Sequence, residues 1–111
     1  MTPLRRGEVW ETSSGVRVLI ISSTVYNEIA SEPTVVVVED DANIADLVAL
    51  YLREAGFTVH VTGDATAGEE AVRARQPDLV VLDIGLPGRV DGFELCRRLR
   101  AHSQVPVVLL T

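Results

Sequence analysis

The sequence predicts an α/β fold: a parallel sheet with helical crossovers, preceded by a β-hairpin. Three observations carry this. Short aliphatic runs, "TVVVV", "DLVVLDI" and "VPVVLLT", read as strands buried on both faces, as in a parallel sheet. Segments of helical periodicity separate them, which makes each connection a right-handed crossover. Aromatics are scarce at 5% against 47% hydrophobic residues in total, so the core is built from Val, Leu, Ile and Ala.

Taken in order, "GEVWET" and "VRVLIIS" are strand-like and flank the turn candidate "SSG", which predicts the hairpin. "STVYNEIASEP" is a polar connection. "TVVVVE" is a strand of β-branched residues. In "NIADLVALYLREAG" the apolar Ile44, Leu47, Val48, Leu50, Tyr51 and Leu52 recur at helical spacing, and Gly56 is a stop signal. "FTVHVTG" alternates as a second strand. "TAGEEAVRARQ" is a short helix closed by Pro77. After "DLVVLDI" comes the loop "GLPGRVDG", dense in Gly and Pro. The helix "FELCRRLRAH" has Phe93, Leu95, Cys96 and Leu99 as apolar positions, and "VPVVLLT" is the last strand.

Composition narrows the function classes. At 111 residues there is room for about one domain. A formal net charge of −6 argues against a general nucleic-acid-binding face. The lone Cys96 excludes an internal disulfide and fits a reducing compartment. No apolar run approaches the roughly 20 residues of a membrane span, and no signal peptide is evident. The expectation is a cytoplasmic protein without membrane contact. The chain has no lysine; all ten residues of the Lys and Arg total are arginine.

The chemistry concentrates at strand ends. In an open parallel sheet, ligands bind outside the carboxyl ends of the strands. Glu39, Asp40 and Asp41 follow the valine strand, and Asp83 ends "LVVLD". If those strands are neighbours, the acids converge, and a hard divalent cation such as Mg²⁺ relieves their repulsion. A remaining carboxylate could then attack a phosphoryl group, with Thr111, at the end of the next strand, offering a hydroxyl. Asp41 or Asn43 is the candidate helix cap, and an acidic cluster also suits a helix N-terminus electrostatically.

Residues 34 to 111 resemble the receiver domain of a two-component response regulator, which is CheY-like. The carrying motifs are the acidic pair after the valine strand, "LDIGLPG", "DGFEL" and the closing Thr. The resemblance implies a partial flavodoxin-like sheet in the order 2-1-3-4. It makes Asp83 the phospho-acceptor, with Glu39, Asp40, Asp83 and the backbone carbonyl of Gly85 around Mg²⁺, and Thr111 in contact with the phosphate. A histidine kinase is the implied donor, and the module is not expected to be an enzyme. It also implies a truncation: the family's fourth helix, fifth strand with its Lys–Pro pair and fifth helix lie beyond the last residue, so weak or no phosphotransfer is expected.

Residues 1 to 38 resemble the start of a MazF/PemK-type toxin endoribonuclease, through "RRGEVW", Arg17 opening a strand, and "PTVVVV". That resemblance implies a catalytic role for Arg17. Its partner Thr has no counterpart, so RNA cleavage is not expected. The chain is accordingly expected to be a chimera: a hairpin segment, 1–33, joined to a receiver-like segment, 34–111, as one folded unit. Alternatives are a structural chimera without activity and an inactive toxin fragment. A bare sheet edge invites intermolecular pairing, which makes a homodimer with exchanged elements an expectation.

Overall fold

The computed structural model describes residues 9–11, 17–20 and 33–110. The expected elements form in the expected order: β1 (Val9–Glu11), β2 (Arg17–Ile20), β3 (Thr34–Val38), α1 (Ala42–Glu54), β4 (Thr58–Thr62), α2 (Ala65–Arg75), β5 (Leu79–Asp83), α3 (Gly92–His102) and β6 (Val107–Leu110). They build one six-stranded sheet in the order β1-β2-β6-β5-β3-β4. β4, β3, β5 and β6 are mutually parallel, which is the expected 2-1-3-4 arrangement.

The central strands are buried on both faces, which explains why their sequences are unbroken aliphatic runs. Val35, Val36, Val37 and Val38 are all fully buried. On one face Val35, Val37, Leu79 and Val81 meet Ile44, Val48 and Leu52 of α1, with Phe57 and Val59. On the other, Val36, Val38, Val80, Leu82, Val107 and Leu109 meet α2 through Ala65 and Val72 and α3 through Leu95 and Leu99. β4 is an edge strand and is less buried than the central strands, with its Val61 exposed.

Helix ends follow the sequence closely. Asp41 is the cap of α1, its Oδ1 accepting from the N–H groups of Asn43 and Ile44 at 2.9 and 3.2 Å. Asp64 and Asp91 cap α2 and α3 in the same way. α2 ends at Arg75, two residues before Pro77, and the intervening Gln76 takes a left-handed conformation at φ 46° with its N–H donating to the Val72 carbonyl. Three of the apolar positions at helical spacing lie outside the core. Leu50, Tyr51 and Phe93 are exposed, at 52%, 47% and 57%. The buried stripe of α1 runs instead through Ala45 and Ala49, small residues that let the helix lie close to the sheet.

The hairpin is present, and it joins the same sheet. β1 pairs antiparallel with β2, and β2 pairs antiparallel with β6, matching Val18 with Leu110 and Ile20 with Val108. β3 lies between β4 and β5, away from β2. Because β2 covers the β6 edge, removal of residues 1–20 leaves that ladder unpaired. The expected result is self-association, read as a concentration-dependent increase in mass by size-exclusion chromatography with light scattering.

Candidate functional site

The site forms because β3 and β5 are parallel neighbours in register. Val38 lies opposite Leu82, so the residues that follow, Glu39 and Asp83, leave the sheet side by side. Two bonds fix this edge. The Glu39 N–H donates to the Thr62 carbonyl at 2.9 Å, holding the β3 exit to β4. The Ile84 N–H donates to the Leu110 carbonyl at 3.2 Å, holding the β5 exit to β6. The Thr62 hydroxyl adds a bond to the Val37 carbonyl at 3.1 Å.

Of the acids in "EDD", Asp41 is committed to capping α1, which leaves Glu39 and Asp40 to face Asp83. One carboxylate oxygen from each of Glu39, Asp40 and Asp83 lies within 4.8 Å of the others, the geometry of a cation site. The three differ in exposure. Asp40 is exposed, Asp83 half-buried and Glu39 buried at 4%. Glu39 Oε2 is enclosed with no hydrogen-bond partner. A buried, unpartnered carboxylate oxygen beside two further carboxylates is costly without a cation.

That environment raises the Glu39 pKa from 4.5 to about 8. Burial is the largest cause, followed by the neighbouring Asp83 carboxyl and then that of Asp40. Between the two pKa values the folded chain keeps a proton that the unfolded chain has lost, so stability falls as pH rises through that window. At roughly 1.4 kcal/mol per pKa unit, the metal-free protein is expected to lose a few kcal/mol between pH 5 and 8. Urea denaturation across this range measures the slope, and Glu39→Gln should flatten it.

The Gly85 N–H donates to Asp83 Oδ1 at 3.0 Å, which orients the carboxylate. Gly92 is a site residue that the sequence reading missed. It opens α3 against the strand end, its N–H donating to the Ile84 carbonyl at 3.1 Å. A Cβ there would collide with the Asp83 carbonyl oxygen and come within 2.7 Å of Ile84 Cα. The signal available was a Gly at the first helical position, directly after a capping Asp. Thr111 lies outside the described residues, as does the side chain of Arg17.

Residues 35–111 match the family model of the response regulator receiver domain. The chain belongs to that family. Among curated relatives it is 49% identical over 77 residues to the DNA-binding response regulator MtrA of Mycolicibacterium paratuberculosis, an alignment covering 69% of this chain and 34% of that one. It is 42% identical over 79 residues to the transcriptional regulatory protein AfsQ1 of Streptomyces coelicolor, covering 71% and 35%. The chain thus spans about a third of the length of these relatives. Among solved structures, the BeF3-activated N-terminal receiver domain of RstA from Klebsiella pneumoniae superposes with a TM-score of 0.63 at 43% identity, covering 67% of this chain and 62% of that one. The family match begins at residue 35 and lends no support to a toxin segment, so the chimera and toxin-fragment expectations are set aside.

Proposed function

We propose that this receiver domain accepts a phosphoryl group on Asp83 from a histidine kinase, with Mg²⁺ held by Glu39, Asp40 and Asp83 and the carbonyl of Gly85. The observation that carries this reading is the buried Glu39, whose Oε2 is unpartnered and whose carboxylate has an oxygen within 4.8 Å of oxygens from both Asp40 and Asp83. The donors are hard oxygens, the set Mg²⁺ prefers, and Asp40 is open to water, so the ion can keep part of its hydration shell. When bound, Mg²⁺ supplies positive charge that offsets the carboxylates and the phosphoryl oxygens.

The chain's own part in the chemistry is to position and activate a nucleophile. An Asp83 carboxylate oxygen attacks phosphorus as the bond from phosphorus to the donor nitrogen breaks, and that nitrogen keeps the electron pair. The product is an acyl phosphate on Asp83. The Gly85 N–H bond at Asp83 Oδ1 fixes the carboxylate, which favours attack through the other oxygen, Oδ2. In this reading the domain is consumed one phosphoryl group at a time and is not itself a conventional enzyme.

The relatives' names add DNA binding to their whole chains, of which this domain is about a third. The net charge of −6 favours assigning that contact outside the receiver domain. No helix among the described residues is long and apolar enough to cross a membrane, and a cytoplasmic phosphorelay is the proposed setting.

The test is an amide-correlation NMR titration with Mg²⁺ and then beryllofluoride, a phosphoryl mimic. Shifts at Glu39, Asp40, Asp83 and Gly85 are the expected result. A folded spectrum indifferent to both additions would refute the reading.

A further inference from the structure

We propose that the hollow between the C-terminal halves of α2 and α3 binds a small amphipathic anion, an organic monocarboxylate with an apolar body. This site is separate from the carboxylate cluster. The hollow lies at the amino ends of β5 and β6, beside Pro77 and Val105, whereas Glu39, Asp40 and Asp83 stand at the carboxyl ends of β3 and β5. Its volume is about 410 Å³, within the roughly 300–1,000 Å³ of small-molecule sites.

The floor is apolar because it is the outer side of the core. Val72 of α2, Leu99 of α3 and Val105 ahead of β6 are buried, and they belong to the cluster that packs these helices on the sheet. The rim is charged. Arg73, one turn further along α2, places Nη2 3.0 Å from Glu69 Oε1. Arg98, across on α3, places Nη1 3.8 Å from Glu69 Oε2. One carboxylate thus faces two exposed guanidinium groups. Glu94 does not cancel the excess, because Arg97 holds it through two bonds at 2.8 and 2.7 Å. On a chain whose net charge is −6, this is a local cationic spot that draws an anion in.

Donors are left over for such an anion. Arg73 reaches Glu69 through Nη2 alone. The 3.8 Å from Arg98 Nη1 to Glu69 is too long for a hydrogen bond. A ligand carboxylate set between the two arginines takes the donors that Glu69 leaves unused, in charge-assisted bonds. Helix C-termini carry partial negative charge, which opposes an anion. Arg75 and Arg100, in the last turns of α2 and α3, offset it. Exposed ion pairs alone gain little in water. The ligand therefore needs an apolar body to cover Val72, Leu99 and Val105.

The probe is 4-phenylbutyrate, with neutral 4-phenylbutyramide as its matched control. Amide-correlation NMR of the full chain without Mg²⁺ follows both titrations, so the phosphoryl-acceptor reading is not at stake. The expected result is saturable binding of the carboxylate, with shifts centred on Val72, Arg73, Leu99 and Val105. The amide should bind about fivefold more weakly, and Arg73→Gln and Arg98→Gln should each cost the carboxylate about twofold to fivefold. Glu69→Gln is the sharpest test. It removes the competing carboxylate and should tighten binding by about threefold, a gain that a damaged fold cannot produce. Where a variant loses its dispersed spectrum, the wild-type contrast between carboxylate and amide decides. Equal affinity for the two probes, a folded Glu69→Gln that binds no tighter, shifts scattered over other arginines, or no saturation overturns the inference.

Discussion

Asp83→Asn is expected to lower the rate of phosphoryl uptake from acetyl phosphate at least about 100-fold, as removal of a nucleophile commonly does. Asparagine has the shape of aspartate, and its side-chain oxygen can still accept the Gly85 N–H, so the local backbone has no reason to move. What disappears is the negative charge and the electron pair that attacks phosphorus. Intact-mass spectrometry after incubation with Mg²⁺ and acetyl phosphate measures the effect directly. Continued labelling of the variant would move the acceptor role to Glu39 or Asp40 and overturn the assignment. The variant carries an internal control as well. Asp83 is the second cause of the raised Glu39 pKa, after burial. Without it that pKa should drop, and the loss of metal-free stability toward pH 8 should shrink.

Much of this site was legible because parallel sheets place chemistry predictably. Once "TVVVV" and "LVVLD" are read as neighbouring strands, Glu39 and Asp83 must emerge at the same edge. The division of labour within "EDD" was harder to see. Three adjacent acids look equivalent in the sequence, yet Asp41 caps α1 while Glu39 alone is enclosed, because it continues β3 and remains bonded to Thr62.

Helix faces were legible only in part. Apolar spacing marks Leu50, Tyr51 and Phe93 as strongly as Val48 or Leu95, but close approach to the sheet is made by the small residues Ala45, Ala49 and Gly68. A Cβ on Gly68 would come within 2.6 Å of Val38, which shows how near α2 lies. Size complementarity of that kind leaves no periodic trace. The docking of β2 on β6 joins residues some ninety positions apart, and no local pattern announces such a pairing.

The largest expected loss of stability comes from a single added methyl group, in Gly92→Ala. Alanine is the better helix former, so propensity alone predicts a gain of up to about 1 kcal/mol. Packing predicts the reverse. The new Cβ would occupy the space of the Asp83 carbonyl oxygen and crowd Ile84 Cα, and neither is a flexible side-chain end that can swing aside. Either α3 lifts from the sheet or the end of β5 shifts. Overpacking of a well-filled site costs about 1–3 kcal/mol, and with backbone on the receiving side the upper end is expected. For a domain of this size about 3 kcal/mol lowers the melting temperature by about 10–20 °C.

Gly63→Ala is the matched control, since its Cβ would meet nothing within 4 Å. A melting temperature for Gly92→Ala within a few degrees of that control would show that α3 yields cheaply. The displaced atoms belong to Asp83 and its neighbour, so the same substitution is also expected to weaken Mg²⁺ binding. Stability and site geometry should therefore fail together in Gly92→Ala, whereas Asp83→Asn separates them.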